Sequence, residues 1–88
     1  PYQAVDILAW FNRADLWRKP DRVQAILNLA NKLGMNTLPL MNAMRNAQAI
    51  NTTEIIASIP AEDRSSGERI GGAFESARMA AITTALNS

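Results

Sequence analysis

Arg13, Arg18, Lys19 and Arg22 place four cations within ten residues, against two acids, Asp15 and Asp21. Such a run can hold phosphate oxygens by charge and by N–H donation. Trp10, Phe11 and Trp17 are interleaved with it, the pairing of flat rings and cations that single-strand binders use. At helical spacing the same aromatics also suit a core or interface stripe, and Trp17 is expected to be largely buried as the anchor of a turn. Other reactive residues are sparse. The 88 residues include no Cys and no His, which removes thiolate nucleophiles, disulfides, Ser-His triads and the commonest metal ligands. Asp21 stands apart, Glu62 and Asp63 are neighbours, and Glu68 and Glu75 lie seven apart. None forms the Asp-x-Asp or clustered spacing that holds Mg²⁺, so they read as helix-start acids complementing the dipole. Gly67-Glu68-Arg69-Ile70-Gly71-Gly72 matches neither the dinucleotide fingerprint nor the P-loop. Its glycines are expected to let a helix start approach another backbone closely, with a backbone anion site as the alternative.

The whole chain is nearly neutral, with nine basic and eight acidic residues. Residues 1–44 carry five basic and three acidic groups, net +2, and residues 45–88 carry four and five, net −1. That is a mild surplus beside the basic stripe of a dedicated nucleic-acid domain. A chain of 9.6 kDa folds to about 5,100 Å² of surface against about 13,900 Å² extended, which allows one modest core. The longest run without a charge, Leu33 to Met44, is broken by Gly34 and Pro39 and is too short to span a bilayer. The opening Pro1-Tyr2-Gln3 lacks an initiator Met and a basic leader, as expected of a fragment of a larger chain.

Helical spacing dominates. Ala4, Ile7, Leu8, Phe11 and Ala14 predict an amphipathic helix of about four turns, ending near Trp17–Lys19 before Pro20. Pro20 and Asp21 open a second helix with Val23, Ile26, Leu27, Ala30 and Leu33 inward and Gly34 as its stop. Thr37 caps a third, with Leu40, Met41, Met44 and Ala47 inward. Asn51-Thr52-Thr53-Glu54 has the form of a capping box before Ile55, Ile56 and Ile59, and Pro60 ends that helix. Pro60 to Asp63 can make one more turn. Ser65-Ser66-Gly67-Glu68 offers another box before a last helix that buries Ile70, Phe74, Ala77, Ala81, Ile82 and Leu86. No stretch alternates as a strand does. The expected fold is all-α, a compact bundle of about five helices in a single domain over residues 1–88.

The segment Asp15-Leu16-Trp17-Arg18-Lys19-Pro20-Asp21-Arg22 resembles the C-terminal body and tail region of bacterial CCA-adding tRNA nucleotidyltransferases. There a helix ending D-A-W-R-K-P is followed by one that opens with a polar residue and Arg. Ala47-Gln48-Ala49-Ile50-Asn51-Thr52 is similar to a later step of the same family. Gly67, Ile70, Phe74, Arg78 and Ile82 fall in register with its terminal helix. Many members carry an acidic, glycine-bearing stretch after the second helix; Ala30-Asn31-Lys32-Leu33-Gly34 stands there without the acids or the Arg.

The resemblance implies a cytoplasmic parent enzyme that adds C, C and A to tRNA 3′ ends from CTP and ATP with Mg²⁺, through an Asp-x-Asp head that this chain lacks. Some members add a His-Asp phosphohydrolase domain. The 88 residues would hold no catalytic, cofactor or metal residues. They would support tRNA near its elbow, with Arg18, Lys19 and Arg22 as a phosphate-facing patch that binds weakly alone. The partners implied are tRNA and the rest of the parent chain, with no membrane. The alternative is a structural or dimerisation bundle, using the Ala-rich face of the last helix (Ala73, Ala77, Ala80, Ala81) against a second copy.

Overall fold

The computed structural model of the chain describes residues 2–87 and is all-α, with no strand among the described residues. The helices are α1 (Ala4–Arg13), α2 (Pro20–Lys32), α3 (Leu38–Gln48), α4 (Thr52–Ser58) and α5 (Gly67–Leu86), with a 3₁₀ turn at Ala61–Asp63. The 20 residues of α5 make a strut about 30 Å long. On it pack α1, α3 and α4, and α2 joins through α3. The core draws Ile7, Leu8 and Phe11 from α1, Val23 and Leu27 from α2, Ala43, Met44 and Ala47 from α3, and Ile82 and Ala85 from α5. No helix is long and apolar enough to cross a membrane among the described residues.

α1 stops earlier than its apolar spacing predicts. It ends at Arg13 rather than near Trp17, because Asp15 takes φ 62, a left-handed conformation that Asp adopts more readily than most L residues. Asp15 N–H then donates to Asn12 O at 3.2 Å and Leu16 N–H to Phe11 O at 3.0 Å, the paired bonds of a Schellman cap. The reversal drives Leu16 fully into the core. Pro20 therefore starts α2 but does not end α1, and Trp17 lies off the α1 face that carries Trp10.

α2 closes the same way. Gly34, at φ 93, donates to Asn31 O and Met35 donates to Ala30 O, both at 3.1 Å. Only Val23 and Leu27 of its expected stripe are buried, whereas Ile26 is 42% and Leu33 75% exposed. With α2 seated through α3, one i, i+4 pair is all that reaches the core. The surface reflects this: 5825 Å² is exposed against the roughly 5,100 Å² that scaling predicts.

Thr37 sits at the α3 N-cap but makes no cap bond; it is buried, with its hydroxyl 3.7 Å from Met41 Sδ. Asn51 caps α4 by accepting from Glu54 N–H at 3.1 Å. Ser66, not Ser65, caps α5, accepting from Arg69 N–H at 3.3 Å. Arg69 stands where a capping box needs Glu or Gln, so that box stays half-made.

The α5 glycines overturn the expectation of close packing. A Cβ built on Gly71 or Gly72 meets nothing within 4 Å, and both residues are exposed. Each glycine inside a helix costs about 0.8–1.0 kcal/mol relative to Ala. The double substitution Gly71→Ala, Gly72→Ala should therefore stabilise the chain by about 2 kcal/mol and raise Tm by about 8–16 °C. Scanning calorimetry checks it; an unchanged Tm would mean that α5 does not run as a helix through these positions in solution.

Candidate nucleic-acid interface

The cation run sits on the turn between α1 and α2. Asp15 O accepts from Arg18 N–H at 3.3 Å and Lys19 N–H at 2.9 Å, so the left-handed residue that ends α1 also winds the turn. Its carboxylate holds Arg18, with Oδ2 2.8 Å from Nε and 2.7 Å from Nη2. The Arg18 side chain remains 75% exposed in this pair. Lys19 is the α2 N-cap residue and Arg22 the third residue of the helix; both are exposed. Neither makes an ion pair, since Arg18–Asp15 is the only one among the described residues. The backbone adds little for an anion here. Pro20 has no N–H, Arg22 N–H is taken by Lys19 O at 3.2 Å, and the Asp21 carboxylate stands beside them. Phosphate affinity at this turn has to come from the three side chains.

Trp17 is half-buried rather than enclosed. Its indole N–H donates to Asn12 Oδ1 at 2.8 Å, and Asn12 Nδ2 donates to Glu75 Oε1 at 3.1 Å. This relay fastens the turn to α1 and α5. The Trp17 ring meets Phe11 edge-on, with centroids 6.2 Å apart at 90°. On it rests the Arg78 guanidinium, 3.9 Å from the ring centroid and 5.6 Å from that of Phe74. Stacking of this kind gives about 0.5–1 kcal/mol when exposed and about 2 kcal/mol or more when desolvated. Against it stands the cost of Arg78 Nε, which is buried without an acceptor, about 1–3 kcal/mol for such a donor. Beside the stack opens a pocket of about 270 Å³ lined by Trp17, Ala47, Gln48, Ile50, Thr52 and Arg78.

No family model, curated protein or solved structure matches the chain. What its surface can do therefore rests on its own residues. Among those described, no three carboxylates gather as a metal site. Glu75 is engaged by Asn12, and Gly71 and Gly72 lie within α5 rather than in a phosphate loop. The Trp17–Arg78 pocket has no signature along the chain, because its two walls are 61 residues apart.

Proposed function

We propose that this chain is the helical tRNA-supporting region of a CCA-adding nucleotidyltransferase or a diverged relative, holding RNA by its backbone while a separate head domain adds nucleotides from CTP and ATP with Mg²⁺. The observation that carries the reading is the exposure of Arg18, Lys19 and Arg22 on a turn fixed by the Asp15 cap, with Lys19 and Arg22 free of acidic partners. Three cations on a rigid support suit recognition by shape and phosphate rather than by base edges. The test is a titration of tRNA transcript into the chain at several salt concentrations. Three phosphate contacts give a log–log slope of roughly −2 to −3. A slope of zero, or no binding at low salt by the folded chain, would overturn the reading.

The chain alone should add no nucleotide to tRNA. Two-metal phosphoryl transfer needs paired carboxylates, and no two acids here have the Asp-x-Asp spacing. Incorporation of labelled C or A by the purified 88 residues would refute this.

A second reading has its own observation. Leu29 of α2, Leu33 and Met35 of the connection after it and Leu38 at the start of α3 are each more than half exposed, apolar surface suited to another chain or to the rest of a parent. The Ala-rich face of α5 is less open, since only Ala80 is exposed and Ala73, Ala77 and Ala81 are half-buried. Sedimentation equilibrium distinguishes a self-associating chain from a monomer.

A further inference from the structure

We infer that the pocket between Trp17 and Arg78 is an oxyanion site that takes one phosphate of an RNA backbone; the inference rests on the RNA-support reading and adds a second contact to it. Arg78 is unusual among the arginines of this chain. Its guanidinium is fixed over the Trp17 ring at 3.9 Å, and Nε is buried with no acceptor. No carboxylate lies within ion-pair distance of it among the described residues. A guanidinium offers five N–H donors and accepts none; with Nε sealed inside, the Nη donors are the ones an outside partner can meet.

The surroundings select the partner's chemistry. Gln48 and Thr52 add polar side chains to a lining that Ala47 and Ile50 share, and no acid lines the space. At about 270 Å³ the pocket holds about nine times the ~30 Å³ share of a water molecule, room for a tetrahedral phosphate. The guanidinium fork matches such an oxyanion with two parallel N–H bonds. A phosphate strung on an RNA backbone is favoured because Arg18 and Lys19 directly follow Trp17 in the chain. With consecutive Cα atoms about 3.8 Å apart, a strand seated on that turn lies within reach of the pocket.

The test is a titration of the ¹⁵N-labelled chain followed at the Trp17 indole N–H and Arg78 Nε–H signals. The titrants are sodium phosphate at constant ionic strength and, separately, an RNA hairpin. Saturable shifts at both signals with both titrants are expected. The affinities should fall at least about tenfold in Arg78→Gln and in Gln48→Glu, the loss of one charge-assisted contact. Gln48→Glu leaves the Arg78–Trp17 stack in place, so it reads the same loss should Arg78→Gln fail to fold. Shifts with phosphate but none with the hairpin would make this a free-phosphate site and overturn the RNA assignment. Absence of saturable shifts with either titrant, or unchanged affinity in Gln48→Glu, would overturn the site altogether. A hairpin that binds through Arg18, Lys19 and Arg22 while Trp17 stays unmoved would sink this inference and leave the broader reading intact. Binding that depends on Arg78 but not on those three would sink the turn and keep the pocket.

Discussion

The triple variant Arg18→Ala, Lys19→Ala, Arg22→Ala is expected to lose the salt-dependent part of tRNA binding by the turn while keeping its fold. All three side chains lie outside the core. The one ion pair broken, Arg18–Asp15, joins groups 75% and 33% exposed and stabilises the chain by no more than about 1 kcal/mol. Binding through three cations weakens about 16- to 64-fold when salt rises fourfold; the variant should lose that dependence. Placed in a full-length parent, the same substitutions should raise KM for tRNA and leave kcat and the KM values for CTP and ATP nearly unchanged, as removal of a remote, uniform contact does. A purely structural role for the turn forecasts the opposite, a lowered Tm with tRNA binding intact. Melting curves and tRNA affinities on one variant separate the two, and unaltered affinity in a folded variant would remove the turn from the interface.

Phe11→Ala should have the largest effect on stability. Phe11 is fully buried, its ring centroid 5.6 Å from that of Trp10 and 6.2 Å from that of Trp17. It stands where α1, the turn and the aromatic pair meet. Emptying that position costs about 3–5 kcal/mol, out of the roughly 4–13 kcal/mol that a chain of this size has. The expected fall in Tm is about 12–40 °C, followed by circular dichroism. A fall of only a few degrees would mean that the aromatic cluster does not hold the turn against the bundle.

Local signals carried most of the architecture. Pro20, Gly34, Asn51 and Pro60 mark helix ends through backbone chemistry that acts within a few residues, and the structure has those ends. The structure departs from the local pattern where the deciding partner is distant or the local rule has exceptions. Asp15 ends α1 in a conformation normally signalled by glycine, so the apolar spacing ran past it. Ile26 and Leu33 fit the stripe of α2 perfectly well, but whether a stripe is covered depends on its neighbour, and α3 covers only part. Gly71 and Gly72 suggested a close neighbour that does not exist. In the candidate site, the exposed cations were legible from composition and Pro20, whereas Arg78 over Trp17 required the last helix to be folded back onto the first turn.

That α5 is the shared support of α1, α3 and α4 has a consequence for how the chain is made. The ribosome releases it N-terminus first, so the helix on which three others rest emerges after all three of them. From Arg13 to Leu86, 73 residues on, synthesis at about 5–20 residues per second leaves the apolar face of α1 without its partner for about 4–15 s. Helices themselves form within about a microsecond. Helices of 7 to 13 residues are marginal by themselves, so the nascent segment waits only partly helical, with Ile7, Leu8 and Phe11 open to whatever holdase stands at the tunnel exit, until the twenty residues of α5 arrive to close it.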